Sequence, residues 1–421
     1  MIEKYLEFRK HLLVYLNYCI VLYVFTFPIL SIYMNHQLFK NFGSLLAVLF
    51  ILTIDIKKMY RLFIDNKLFQ TVLLLVVLIL LSFFWSEPHQ EMHFYGQKSE
   101  YVRYMKNFFL FPFLIIALSV KKEFIPMIIN AFLAAMFINE LISFGIYFEF
   151  WSTLNGTPKN PISFHLNYIT YSVFVGFAIL LAIYKFFNSE SKKIKSLYFI
   201  FLVTMVLDLF VSSGRTGQFA LFITIIILTL IYFRKNIKNI FLIFTLLGTV
   251  FFISYLSIHK FSKRINYAIN DAYNVTKGVN VDTSFGTRIM AWYTIPYLIN
   301  KDNILLGTGI GDKTYYVKNE LQKNFPYRLD NFDIHGFLHN SHLEILVSNG
   351  ILGLSLYLMI FYYLIKSKIK DNFIRYMGYT LSIYFLCIGM TADIFFFHHI
   401  TMLFSVFLAI VVAQKREEMN A

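Results

Sequence analysis

The sequence predicts an all-α polytopic membrane protein with about 12 transmembrane helices and one large helical loop domain on the outer face. Three observations carry this reading. Of 421 residues, 58% are hydrophobic and only 15% are charged, and the mean hydropathy is +0.61. Soluble globular chains carry about 25% charged residues, so this chain lacks the polar surface of a soluble enzyme or nucleic-acid binder. The 49 Phe and 29 Tyr exclude disorder, because a disordered chain has too little apolar surface to fold. The net charge of +14 is then the basic excess that orients membrane helices rather than a nucleic-acid footprint. Cys19 and Cys387 both sit inside apolar runs, which leaves no disulfide framework and no cysteine metal site. The first residues lead into an apolar stretch with no small-residue cleavage site, so the first span is expected to stay uncleaved.

A membrane-crossing helix needs about 20 mostly apolar residues. Candidate spans cover 12–33, 41–56, 68–85, 107–120, 124–150, 171–187, 196–213, 217–233, 240–258, 351–366, 376–397 and 400–413. The pieces 41–56, 107–120 and 400–413 are short enough to be tilted or re-entrant. Basic residues test the count. With both termini inside, the inner segments hold clusters such as Lys57, Lys58 and Arg61, or Lys192, Lys193 and Lys195. The short outer loops hold only Lys40, Lys98, Arg103, Lys106, Lys159 and Arg215. That asymmetry orients the chain with its termini in the cytoplasm.

The organisation that follows is spans one to nine over 1–258, a long outer loop over 259–350, and spans ten to twelve with a short tail over 351–421. The loop breaks the apolar composition. Its segments 264–275 and 287–300 repeat apolar residues at three- and four-residue spacing, the pattern of surface helices. The segment 335–350 reads as a third helix running into the tenth span. A structureless loop of this length would be unusual, so a small helical domain is expected, with the shorter outer loops 86–106 and 151–170 packing against it.

Ten of the eleven histidines fall outside the membrane on the outer side. His335, His339 and His342 are spaced to share one helical face, a spacing that admits zinc with Asp333 or Glu344 nearby. Gly336 would loosen the first turn and no second cluster supplies the missing ligands, so one working imidazole, as general base or hydrogen-bond donor, is the favoured reading. Arg215 lies in SSGRTGQ, a short outer turn. It either anchors at the interface or, with Ser212, Ser213, Thr216 and Gln218, forms a bidentate site for an anionic head group. Arg288, opening the amphipathic segment TRIMAWYTIPYLIN, admits the same two readings. Arg103 and Lys106 at the mouth of the fourth span either steer a lipid phosphate or anchor the helix. The alternating glycines of LLGTGIGD lack a phosphate-loop ending and read as a chain-reversing turn. Glu140, Asp208 and Asp393 fall within spans, where ionisable groups are costly and often functional. Asp208 is two helical turns before Arg215, which suggests a pairing.

In this order SSGRTGQ, the arginine of TRIMAWYTIPYLI, LLGTGIGD and LHNSHLEILVSNGILG resemble the O-antigen ligase and polymerase superfamily of bacterial inner-membrane GT-C-type glycosyltransferases. The likeness covers roughly 210–355. It implies that Arg215 and Arg288 match the family's essential arginines and His339 its essential histidine, that Asn340 and Leu343 flank that histidine, and that Gly350 and Gly353 close the motif. It also implies an undecaprenyl-diphosphate-linked glycan as donor, a sugar hydroxyl of lipid A-core as acceptor, and an inverting transfer to lipopolysaccharide at the periplasmic face. No cofactor, metal or nucleotide is expected. Asn340, Gln218, Arg103, Lys106 and His342 are the candidate substrate-binding residues beside the catalytic three. An O-antigen polymerase or a protein O-oligosaccharyltransferase would use the same set. A transporter or lipid flippase using Glu140, Asp208 and Asp393 as an ion path is the alternative from another class. It predicts two related halves, and no matching pair of broken helices is present.

Overall fold

The computed structural model describes residues 2–29, 36–86, 102–103, 105–152, 156–162, 166–257, 259–277, 283, 286–299, 303–310, 316–317, 319–320, 323 and 338–420. Among these the structure is helical, and the one β pairing is an antiparallel bridge between Thr157 and Asn160. A helix stands at each of the predicted spans. They are α1 (Ile2–Thr26), α2 (His36–Thr53) and, after a short α3 (Ile56–Asp65), α4 (Lys67–Leu81). A π-helical turn, Met105–Leu110, runs into α5 (Phe111–Ser119). Then come α6 (Ile125–Tyr147), α7 (Tyr168–Asn188), α8 (Lys192–Val211), α9 (Arg215–Phe233) and α10 (Ile237–Ser257).

The long loop supplies α11 (His259–Thr276), α12 (Gly286–Tyr293) and α13 (Ile295–Leu298), and α14 (Ser341–Lys366), α15 (Asn372–Gly389) and α16 (His398–Asn420) close the chain. By length and composition, seven of the helices among the described residues can cross a membrane, or eight if the bent pair α3–α4 counts as one span. The expected twelve exceeds the larger count by four: α2 and α5 are short, the first turns of α1 carry Lys4, Arg9 and Lys10, and the first turn of α15 carries Asn372 and Arg375. The segment expected as one helix over 287–300 is two, broken at Thr294 ahead of Pro296, whose ring cannot continue the ladder.

α16 and α7 are the interior helices, and α10 lies at the periphery. The interior is built from interlocked rings. Phe177 of α7 meets Phe407 of α16 edge to face at 4.7 Å, Phe132 of α6 meets the same ring at 5.0 Å, and Phe385 and Phe404 pair at 4.7 Å. Helices suit this setting because they satisfy their own backbone groups where water cannot.

The two ends of the bundle differ in what holds them. At the end rich in lysine and arginine, side chains close helix C-termini. Arg416 donates to the carbonyls of Ala117 and Val120 at the end of α5. Arg9 donates to those of Thr53 and Ile54 at 2.9 and 3.0 Å. Cations complement the negative end of a helix. Asn66 serves as C-cap of α3 and N-cap of α4, turning the chain by 102°.

At the opposite end the loop is stitched to α14. That helix begins at Ser341 and breaks at Gly350, whose φ of 64° is left-handed. In an unbroken helix Ile351 and Leu352 would donate to Val347 and Ser348. Instead Val347 and Ser348 accept from Thr308 N and Gly309 N at 2.8 and 2.9 Å, while Ile351 and Leu352 donate to Ile304 and Leu305. The LLGTGIGD turn is therefore a splint for the broken helix, and Ser86 donates to Ile310 to hold the same turn to the end of α4. A Cβ at Gly350 would overlap the Leu305 carbonyl. Gly350→Ala is expected to destabilise by about 1–3 kcal/mol, the cost of a strained left-handed residue. Gly248→Ala in α10, where a Cβ meets open space, is expected to be neutral or mildly stabilising. Thermal unfolding of both variants in detergent checks this.

Candidate functional site

The SSGRTGQ turn is shaped by small residues. Gly214 is the N-cap of α9 and Arg215 its first residue. A Cβ at Gly214 or Gly217 would overlap Ser172 of α7, so both glycines let α9 press against that helix. Gly217 N donates to Ser172 Oγ at 3.1 Å. Ser213 N donates to Asn160 Oδ1 at 2.8 Å, which ties in the 156–162 loop. Gln218 Nε2 donates to the Leu209 carbonyl at 2.7 Å and so closes the C-terminus of α8 rather than reaching outward. Asp208 does not pair with Arg215. Its two oxygens accept from Ser143 Oγ and Tyr171 OH, each at 2.5 Å, and it is 1% exposed. The Arg215 side chain is left exposed at the head of α9.

Arg288 lies in the first turns of α12. Burial, and then the guanidinium of Arg215, push its pKa down, while Tyr168 acts in the opposite direction. The two arginines are thus electrostatic neighbours, although 73 positions separate them and they sit on different helices. An arginine remains a cation in this setting. The Nε of Arg288 is buried and has no hydrogen-bond partner. Two like charges held together with an unsatisfied buried donor make a place for an anion, because a bound anion removes both costs.

Four residues after Arg288, and therefore on the same helix face, Trp292 Nε1 donates to the carbonyl of Leu338 at 2.7 Å. His339 follows directly. It and Glu149 are the two non-glycine residues with positive φ among the described residues, His339 at 50°. Asn340 is the N-cap of α14, and its Oδ1 accepts from His342 N and Leu343 N at 3.0 and 3.2 Å. Glu344 reaches back to accept from Leu338 N at 2.6 Å. A small core of Met290, Ala291, Leu298, Val317, Leu338 and Val347 packs this turn against the loop helices.

The structure therefore brings Arg215, Arg288 and the His339 turn to one end of the bundle. It treats the other candidates differently. Asn340 caps a helix. His342 turns into the bundle, where its Nε2 lies 3.1 Å from the Leu386 carbonyl and its ring packs 5.5 Å from Tyr357. His339 precedes the helix N-cap, so it shares no helical face with His342, and His335 lies outside the described residues. His339 and His342 therefore do not share the expected stripe. Arg103 and Lys106 are both exposed. Arg103 acts electrostatically on His398, and Lys106 Nζ lies 5.6 Å from the Phe111 ring centroid. Glu140 is within electrostatic reach of Asp208, whereas Asp393 accepts from Phe395 N and acts on Tyr357.

Two residues at the site escape a reading of the sequence. Tyr168, 46% exposed at the start of α7, is a neighbour of Arg288 through tertiary packing alone. Trp292 reads from spacing as part of an apolar face, and its N–H signals that a polar partner is needed.

No curated protein matches the chain. A family model described as O-antigen ligase matches residues 200–358, a stretch that runs from α8 through the loop helices into α14. The matched stretch, residues 200–358, holds both arginines and the histidine turn and is similar to that family.

Proposed function

We propose that the protein transfers a glycan from undecaprenyl diphosphate to a sugar hydroxyl of lipid A-core, as an O-antigen ligase does. One observation carries this reading: Arg288 is within electrostatic reach of Arg215 and one helical turn from the indole that grips the His339 turn. The chemistry calls for that combination. The acceptor oxygen attacks the anomeric carbon as the bond from that carbon to the diphosphate oxygen breaks, so the configuration inverts. The lipid diphosphate departs with growing negative charge. Two guanidiniums meet that charge without a metal, since each stays protonated and pairs bidentately with phosphate oxygens. The proton of the acceptor hydroxyl passes to the neutral imidazole of His339. The donor's apolar tail lies among the helices.

In this reading the end carrying the arginine pair faces the periplasm, and the end carrying Arg9, Lys58 and Arg416 faces the cytoplasm with both termini. The membrane is the bacterial inner membrane. The chain crosses it twelve times, with the short helices α2 and α5 tilted or partial, and residues 259–350 form the periplasmic domain. Exposed Arg103 and Lys106 serve the same lipid head groups as auxiliary cations.

Reconstitution tests the proposal: protein in detergent, lipid-diphosphate-linked glycan as donor, lipid A-core as acceptor, with neither nucleotide nor metal added. Transfer to lipid A-core is expected, and products are read on a gel. Lengthening of the donor glycan instead would assign a polymerase, and labelling of a protein would assign a protein O-oligosaccharyltransferase. Arg288→Ala is expected to lower kcat by about 10²–10³-fold and His339→Ala by about 10²–10⁴-fold, with unfolding temperatures unchanged. Normal transfer by either variant would overturn the mechanism. Arg215→Lys is expected to lose transfer as well, because an ammonium lacks the planar fork; full activity would make Arg215 an interfacial anchor. Transfer is expected to survive EDTA, and loss that zinc restores would return the histidines to the role of metal ligands.

A further inference from the structure

The peptide plane between Leu338 and His339 contains the Leu338 carbonyl and the His339 nitrogen, so whatever holds that carbonyl sets one side of the His339 φ torsion. The other side is set by the next peptide, which leads into Asn340, the N-cap of α14. His339 needs both. A non-glycine residue in the left-handed region is strained and persists only where its surroundings enforce it. The residue at the centre of this turn is held at 50°.

Leu338 itself is 1% exposed, and both of its backbone polar groups are tied. Its N–H goes to Glu344, within the same turn. Its carbonyl goes to Trp292, on the helix that carries Arg288. The indole is partly buried and packs against the core that includes Met290, Ala291, Leu298 and Leu338, as Leu343 does. The indole N–H joins α12 to the histidine turn.

We propose that Trp292 is a positioning residue: its N–H holds the Leu338–His339 peptide in the orientation that keeps His339 left-handed and aims the imidazole at the group bound by Arg288. Without this hydrogen bond the carbonyl side of the peptide loses its hold, φ shifts from its left-handed value, and the imidazole leaves its bearing on Arg288. The indole ring by itself supplies packing, and the N–H supplies the aim. This inference rests on the glycan-transfer reading for its kinetic consequence, but the geometric part stands apart from it.

Two variants separate packing from aim. Trp292→Phe keeps a ring and removes the donor. Site-specific incorporation of 3-benzothienylalanine at position 292 replaces the N–H by sulfur and keeps the bicyclic shape, which guards against simple loss of fold. Each variant is measured in the reconstituted transfer assay and by hydrogen–deuterium exchange of the peptide spanning 338–344. For the benzothienyl protein kcat is expected to fall roughly tenfold, the scale of one lost hydrogen bond, with KM for the lipid-linked donor within about twofold of wild type. Exchange at the His339 and Asn340 amides is expected to quicken while the unfolding temperature holds. Unchanged kcat and unchanged exchange would overturn the proposal. A raised KM at constant kcat would also overturn it, since Trp292 would then contact the donor directly. If exchange quickens but wild-type protein transfers nothing, the strut is upheld and the transfer reading fails.

Discussion

The peptide groups released where α14 breaks at Gly350 must find partners, and much of the site's architecture depends on how they do so. A free N–H or carbonyl at the edge of an apolar bundle is costly. Residues 304–309 answer by exchanging four backbone hydrogen bonds with 347–352, which roots the long loop on the helix that follows it. The left-handed glycines at 307 and 309 let the turn lie close against that helix. From this anchor the loop's small core reaches both ways, to α12 on one side and to the first turn of α14 on the other. The placement of Arg288 thus follows from a backbone problem that arises some sixty residues later in the chain.

The same end of the bundle collects cation charge, and among the described residues no ion pair joins Arg215 or Arg288 to a carboxylate. Asp208, the nearest acidic residue in sequence to Arg215, is occupied by Ser143 and Tyr171. Keeping those partners inside the bundle leaves the guanidiniums to each other. Like charges in proximity raise the energy of the empty site and increase the advantage of an anionic ligand. At the opposite end two arginines, Arg9 and Arg416, satisfy carbonyls at helix C-termini. Arginine therefore has two roles in this molecule, distinguished by whether a carbonyl is within reach of its fork.

Several side chains beside the site have structural employment. Asn340 and Gln218 both stand next to the expected catalytic residues in sequence, and both complete helix ends. Helix termini leave groups unsatisfied, and the nearest amide side chain is the cheapest remedy. His342 shows the same logic from another direction: one residue into α14, its side chain is carried toward Leu386 and away from the loop. Neighbours along the chain at a cap point to different places because the backbone changes conformation there.

Composition, hydropathy and charge asymmetry were enough to read an all-helical membrane protein with a helical loop, and the order of four short motifs made Arg215, Arg288 and His339 the candidates. Those properties are local, since they depend on residue type and on spacing within a helix or turn. The number of crossing helices was less legible, because short segments such as α2 and α5 satisfy a hydropathy pattern without the length to span. Partnership was not legible at all. That Asp208 turns to Tyr171, that Arg288 comes within electrostatic reach of Arg215, and that Trp292 holds the peptide before His339 are decided by packing between helices far apart in sequence. A side chain's direction follows from which helix face it occupies and what lies opposite, and only the tertiary structure sets what lies opposite.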